Sequence, residues 1–294
     1  MYLVTGARGN VGKVVARELG RGGEDVRLGV RTPQEGVADE VAFDFTNPST
    51  WNEAFNGVHS MFLVRPPAIG NVKRDLLPAV AAARDAGVKH VVFLSLQGAD
   101  RIKVVPHATV EKWLRESGLD WTFVRASFFH QNMSTTHARE VRERNEIIIP
   151  AGRGATAFVD AHDVGAVAAV AMKYPESHRG RAWTITGPRA LTYGQVAETL
   201  TDELGRKIRY EEPGALRYMR HARRDMDMHW GMVAVTTAIY TTARLGMAAG
   251  LSDDVRTILG RDPIDFTEFA HRERDAWMPV DGTGAHGAQN ADAP

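Results

Sequence analysis

Leu3-Val4-Thr5-Gly6-Ala7-Arg8-Gly9-Asn10-Val11-Gly12 decides how this chain is read: an apolar strand passes through a glycine-spaced turn into an apolar-faced segment over residues 11–19. The pattern predicts a strand–turn–helix start of the kind that cradles a dinucleotide. Gly6 permits a tight turn off the strand, Gly9 lets the main chain approach a pyrophosphate, and Gly12 lets the following helix pack against the sheet. The free amides of the helix start then face negative charge. The spacing is G-x-x-G-x-x-G rather than the more quoted G-x-G-x-x-G. A plain surface turn is the alternative, and the strand before it and helix after it weigh against that.

Working outward, residues 26–30 supply a second strand and complete a βαβ unit. Arg31 and Thr32 follow it. An acid at that point would accept hydrogen bonds from an adenosine ribose, whereas an arginine with no acid beside it suits a 2′-phosphate, so the expectation is NADPH over NADH. Arg8, inside the glycine loop, offers a second positive contact; the bland reading of either arginine is solvated surface. Residues 41–43 form a short third strand, with Asp44 placed to reach an adenine amino group and Phe45 beside it.

Residues 46–55 read as a cap and short helix, and residues 58–64 as a fourth strand running out through Val64-Arg65-Pro66-Pro67. The prolines stop that strand at the carboxyl edge of the sheet, where ligands bind in parallel α/β proteins. A crossover helix over residues 76–86 is closed by Gly87. Residues 88–94 are a fifth strand, apolar enough for burial on both faces, and Ser95-Leu96-Gln97 follow at the same edge. Residues 105–117 are helical, and residues 119–124 form a sixth strand leading to Arg125-Ala126-Ser127-Phe128-Phe129. The fold expected is α/β, a Rossmann-type parallel sheet with helices on both faces.

Beyond residue 126 the βα rhythm fails. Residues 1–125 are read as the NADP-binding core, residues 126–280 as a mixed segment adding late core elements and a smaller carboxyl-terminal α/β lobe for substrate, and residues 281–294 as a loose polar tail. Strands are expected at residues 146–149, 157–159, 182–185 and 208–210. Helices are expected up to residue 144, over residues 164–172 and 192–204, and through most of residues 214–250. In that last stretch Tyr218, Met219, Met226, Met228, Trp230, Met232 and Tyr240 read mainly as packing residues, some lining a pocket.

The chain has 294 residues and 44% hydrophobic content, enough for a large core. Thirty-six basic side chains balance thirty-six acidic ones, so no overall field recruits nucleic acid or an anionic membrane. Cysteine is absent, which removes disulfides, thiolate metal sites and cysteine nucleophiles. No apolar run of about 18 residues and no basic leader occurs, so neither a membrane span nor a signal peptide is expected and a cytoplasmic protein is.

Several stretches together resemble the NmrA-like branch of atypical short-chain dehydrogenase/reductases. They are Val4 to Gly12, Gly87 to Ser95, Glu111-Lys112-Trp113-Leu114, Gly118 to Arg125, Phe158 to Val164, Gly187-Pro188 with Leu191-Thr192-Tyr193, and Leu259 to Pro263 with Phe266 and Phe269. The resemblance implies an NADP(H)-binding sheet with a lobe over the nicotinamide end. Within the branch it is similar to NADPH-dependent quinone reductases of aromatic polyketide tailoring, which implies reduction of a quinone or polycyclic aromatic, as the reducing component of a hydroxylation step in antibiotic biosynthesis beside a small cyclase-like partner. The branch also holds NADP(H)-sensing regulators that act through a protein partner without turnover, and that is the rival reading.

The superfamily's usual tyrosine and lysine, four residues apart on the fifth helix, are not both here: that helix offers Lys103, His107 and Glu111 but no tyrosine. His107 stands where relatives often keep a lysine. It is the candidate catalytic residue, with three roles open: holding the nicotinamide ribose, acting as a weak acid near neutral pH, or capping a packed helix. A ketone would need a donor aimed at its developing alkoxide, whereas a quinone accepts hydride into its ring system and takes protons from solvent or a weak donor. For substrate, the residues singled out are Pro67, Gln97, Phe128, Phe129, Asn132 and Met133, the phenylalanines as stacking surfaces.

His130 and His137, without thiols or an H-E-x-x-H arrangement, make no metal site. Asp160 and Asp163 read as helix caps or inter-element hydrogen bonds rather than paired acids. There is no G-x-S-x-G elbow for esterase chemistry. Arg217, Arg220, His221, Arg223 and Arg224, balanced by Asp225 and Asp227, read as a solvated helix face.

Overall fold

Val4 takes Leu28 on one side and Phe62 on the other, both in parallel register, and the whole of β1 (Tyr2–Thr5) is buried. A strand so placed lies at the centre of a parallel sheet, which explains why its sequence is apolar without alternation. The computed structural model describes residues 1–279, so the expected loose tail over residues 281–294 lies outside the described residues. Around β1 are β2 (Val26–Val30), β3 (Glu40–Ala42), β4 (Ser60–Val64), β5 (His90–Leu96) and β6 (Asp120–Ala126). The sheet has seven strands, ordered β3-β2-β1-β4-β5-β6 and then Arg181–Ile185, all parallel. The chain is thus a Rossmann-type α/β fold.

Side chains leave successive strand positions on opposite faces, and two cores follow from that period of two. Leu3, Met61, Leu63, Val91 and Phe93 pack beneath helices Leu77–Asp85 and Pro106–Glu116. Tyr2, Val4, Phe62, Val92 and Val124 pack against α1 (Gly12–Arg21) and helix Ala161–Lys173. A fully buried phenylalanine such as Phe62 or Phe93 stabilises the fold by roughly 2–3 kcal/mol. Contact between α1 and helix Ala161–Lys173 is close: a Cβ on Gly165 would stand 2.6 Å from Val14 Cβ.

Arg181–Ile185 was expected only as a strand of the mixed segment. It closes the main sheet beside β6, from Arg181 opposite Thr122 to Ile185 opposite Ala126. The helical stretch before residue 144 is two short helices, Gln131–Ser134 and Ala138–Arg144, the second ended by Asn145 at φ 55°. The lobe is stitched by three short pairings: Phe128–Phe129 with Phe158–Val159, Ala155–Thr156 with Leu191–Thr192, and Glu146–Ile148 with Arg209–Glu211. Its core gathers Met133, Val141, Tyr193, Tyr218, Tyr240, Phe266, Phe269 and Trp277. No helix among the described residues is long and apolar enough to cross a membrane.

Candidate active site

Strand order reverses direction at β1, with β2 on one flank and β4 on the other, and the crevice outside their carboxyl ends is where this topology takes ligands. Gly6 turns the chain there with φ +61°, and Gly9 N–H donates to Gly6 O at 2.9 Å. The side chain of Val64 floors the turn, 3.4 Å from where a Gly6 Cβ would be. Gly12 is required more strictly: its Cβ would sit 2.2 Å from Gly6 O. The expectation placed Gly12 against the sheet, but the close neighbour is the turn itself, so this glycine presses α1 onto the loop. Among the described residues, no group accepts from the amides of Asn10, Val11 or Gly12, and α1 has neither a side-chain cap nor an acid in its first turn. A helix start left open in this way fits a diphosphate.

The charged surroundings differ from the sequence reading. Arg31 extends into solvent, 74% exposed, with Asp44 Oδ2 4.0 Å from its Nε. An acid therefore does stand beside it in space. Asp44 Oδ1 accepts from the amide and hydroxyl of Thr46, each at 2.7 Å, and these bonds hold its carboxyl below the usual range. Arg8 is gripped by Glu40, a residue the sequence reading passed over, and also donates to Thr32 O. Phe45 is buried, edge-on to Phe43 in the core.

At the carboxyl ends of β4, β5 and β6 three buried polar atoms have no partner among the described residues: Arg65 Nε, His107 Nδ1 and Ser127 Oγ. Seven other such atoms lie elsewhere among the described residues, so an unpaired atom alone marks no site, but these three share the edge at which this topology takes ligands. Arg65 folds its guanidinium back on the exit loop, donating to Pro66 O at 3.1 Å and Ile69 O at 2.7 Å. Burial pushes the Arg65 pKa down. His107 lies in the first turn of helix Pro106–Glu116, stacked on Phe93 at 5.8 Å. Burial, then the positive charge of Arg65, push its pKa down to about 4. Burial thus favours the uncharged imidazole and, of the three roles open to His107, the hydrogen-bonding ones over the acid. Lys103 falls in the turn before the helix, exposed, and off the helix on which it was read.

One turn beyond His107, the fully buried Glu111 carboxylate binds Ser95 Oγ at 2.7 Å and Arg125 at 2.7 and 2.9 Å. Arg115 adds a further bond at 3.0 Å. This cluster locks helix Pro106–Glu116 to β5 and β6, and Ser95 is committed to it. Leu96 and Ala126 end the two strands, and Gln97 N donates to Ala126 O. Gln97 Nε2 crosses to Gly250 O at 2.7 Å, joining the edge to the lobe. Phe128 leans on the lobe core and Phe129 on the sheet's second core, each half-buried. Asn132 and Pro67 are exposed. Met133 is 1% exposed inside the lobe core, and its carbonyl accepts from Trp277, so its side chain faces packing rather than the edge.

Away from the edge, Asp160 caps helix Ala161–Lys173 through His162 N and binds Gln131 and Arg272. Asp163 binds Ile264 N and Arg261. Both are inter-element hydrogen bonders. His221 corrects the solvated-face reading: it turns inward and bridges Glu140 and Asp225. Among the described residues no group of histidines and carboxylates has the makings of a metal site.

Residues 2–220 match the family model for the NmrA-like family, and the chain belongs to that family. An NAD(P)H azoreductase of Xenophilus azovorans is 33% identical over 286 residues, covering 92% of this chain and 96% of that one. A (4-alkanoyl-5-oxo-2,5-dihydrofuran-3-yl)methyl phosphate reductase of Streptomyces griseus is 32% identical, over 95% of this chain and 100% of its own. Among solved structures, the NADPH-dependent quinone oxidoreductase of Escherichia coli complexed with NADPH superposes with a TM-score of 0.83 at 23% identity, covering 92% of this chain and 99% of that one. At that identity the likeness is one of fold.

Proposed function

We propose that this chain is an NADPH-dependent oxidoreductase acting on a planar, electron-poor conjugated acceptor, a quinone or a polycyclic aromatic. The cofactor residues would be the Gly6–Gly12 turn for the diphosphate and Arg31 with Thr32 for the 2′-phosphate end, with Arg8 drawn aside onto Glu40, Asp44 beside Arg31, and Phe45 packed in the core beneath them. Val64, Arg65, Pro66, Ser95, Leu96, Gln97, His107, Ala126, Ser127 and Phe128 would line the nicotinamide end. The cradle fits such a group because the helix amides stand open and the turn closes tightly enough that a Cβ at Gly12 would strike Gly6 O. When bound, the reduced nicotinamide supplies a hydride.

What the chain itself contributes is orientation and exclusion of water. His107, Arg65 and Ser127 offer hydrogen bonds from buried positions along the edge. Phe128 and Phe129 offer flat apolar surface, and Gln97 ties the lobe over it through Gly250. The observation that carries the acceptor class is the setting of His107: its ring is stacked on Phe93 with Nδ1 buried and unpartnered, a fixed hydrogen-bonding group whose pKa burial pushes down, and no tyrosine stands on its helix, which suits acceptors that take hydride into a conjugated system and draw protons from solvent. The two curated relatives above carry reductase names, which favours turnover over sensing. The finer reading, a reducing component of net hydroxylation beside a small cyclase-like partner, rests on the family resemblance.

The test is anaerobic mixing of the purified protein with NADPH and a panel of naphthoquinones and anthraquinones, following nicotinamide absorbance. Oxidation of NADPH with at least one acceptor is expected. Tight NADPH binding without turnover across the panel would replace the enzyme by the sensor.

A further inference from the structure

Glu40 begins β3, and its side chain is 6% exposed, whereas that of its partner Arg8 is 49% exposed. The contact is two-pronged: Arg8 Nε donates to Oε1 at 3.1 Å and Nη2 to Oε2 at 2.8 Å. Gln34 N–H donates to Oε2 at 2.7 Å, and with Arg8 it holds the Glu40 carboxyl below the usual range. Arg8 Nη2 also reaches Thr32 O at 3.2 Å. The glycine-loop guanidinium is thereby drawn onto β3 and the loop after β2. Such planar, two-point pairs are the strongest hold a carboxylate has on an arginine. Arg31 stands near Asp44 on the neighbouring strand end, so two cations and two carboxylates share this corner and their charges cancel.

The chemistry that recognises a dinucleotide at such a corner has two forms. A ribose diol needs an acceptor, and a 2′-phosphate needs free guanidinium. This chain carries both, with the acceptor holding one of the guanidiniums. We propose that Glu40 is a specificity-determining residue: by occupying Arg8 it limits the preference for NADPH that Arg31 gives and keeps NADH usable. The inference rests on the dinucleotide-binding reading above.

The test is fluorescence titration of the full chain with NADPH and with NADH, in wild type, Glu40→Gln, Arg8→Ala and the double variant, with melting curves to confirm folding. Glu40→Gln should shift the affinity ratio toward NADPH by roughly fivefold to tenfold, and adding Arg8→Ala should cancel the shift. Arg8→Ala alone should change the ratio by less than about twofold, because the guanidinium is already engaged. That single variant decides the matter even if Glu40→Gln fails to fold: a large selective loss of NADPH affinity in Arg8→Ala would show Arg8 reading the phosphate directly and overturn the proposal. An unchanged or NADH-ward ratio in folded Glu40→Gln would also overturn it while leaving nucleotide binding intact. Wild type binding neither nucleotide removes both this inference and the reading beneath it.

Discussion

The imidazole of His221 donates to the carboxylate of Glu140 across 81 residues of chain, joining helix Ala215–Arg224 to helix Ala138–Arg144 inside the lobe. Its other nitrogen faces Asp225 at 2.7 Å. Carboxylates only accept, so His221 must carry both protons, and its pKa is raised above 6.5 by Glu140 first. The second Glu140 oxygen takes His137 at 2.9 Å, and His137 reaches Tyr240 at 2.9 Å. The hydrogen bonds of these two histidines hold the Glu140 carboxyl down at about 2 against its burial.

The pH dependence follows from the sign of each shift. A raised histidine stabilises fully below 6.5 and loses its contribution as the pH rises through the raised value. Glu140 contributes above 4.5 and fails only as the pH falls toward about 2. The pair is therefore strongest between those limits. His221→Gln should lower stability by about 2 kcal/mol near pH 6, since it leaves a buried carboxylate one charge short. The gap between wild-type and variant melting temperatures should narrow as the pH rises above 6.5 through the raised value. A constant gap would mean that His221 acts by packing alone.

His90 and His107 pull the other way, since burial pushes each down to about 4. Between pH 6.5 and 4 the unfolded chain binds more protons than the folded one, so stability falls as the pH falls through that window. Each contributes up to about 3 kcal/mol there. His90→Gln, which keeps a side chain able to bond Ser60 or Thr122, should flatten urea-derived stability between pH 6 and 4.5. A wild-type curve already flat over that interval would exclude buried neutral histidines.

The glycine loop, six sheet strands and their edge residues are legible in the chain because each depends on neighbours within a few residues: apolar runs, glycine punctuation, prolines after Val64. What was hidden depends on distant partners. Glu40 meets Arg8 over 32 residues, and nothing local to Glu40 marks it as other than a surface acid. His221 sits in a run of arginines and turns inward only because Glu140 lies opposite. Arg181–Ile185 is read easily as a strand, but its seat beside β6 is set by helix Ala161–Lys173 crossing over the sheet between them. The inward glycine of that helix, Gly165, could have been noticed as a lone glycine in an alanine- and valine-rich stretch, which often means close approach.

Gly12→Ala and Gly165→Ala separate the loop from the packing. A Cβ at Gly12 meets the backbone of Gly6 at 2.2 Å and cannot be relieved by a rotamer change. At Gly165 it meets the Val14 side chain at 2.6 Å. Both should destabilise by about 1–3 kcal/mol. Only Gly12→Ala should also weaken NADPH binding by more than about tenfold, because it displaces the turn whose amides stand open. Calorimetric titration of the two folded variants checks this, and equal losses of affinity would assign no special role to the turn.

Arg31→Ala tests the remaining guanidinium. Exposed and 4.0 Å from Asp44, Arg31 is only weakly engaged. Its removal should weaken NADPH roughly tenfold and NADH by less than about twofold, read from dissociation constants at fixed ionic strength. Equal losses for both nucleotides would remove the phosphate assignment.

His107 is the residue on which the two views of catalysis part. As an acid it would need a pKa near the working pH, and burial beside Arg65 has moved it to about 4. Its open Nδ1 and its stacking on Phe93 instead suit a fixed hydrogen-bonding group. His107→Ala should therefore weaken NADPH binding by about tenfold, the scale of one buried hydrogen bond, while the pH profile of kcat keeps its shape between pH 6 and 9. His107→Gln, which retains an amide donor, should recover part of that affinity. A limb near neutral pH that is present in the wild type and lost in both variants would instead make the imidazole the proton source, its pKa lifted in the loaded enzyme, and would reopen ketones as substrates.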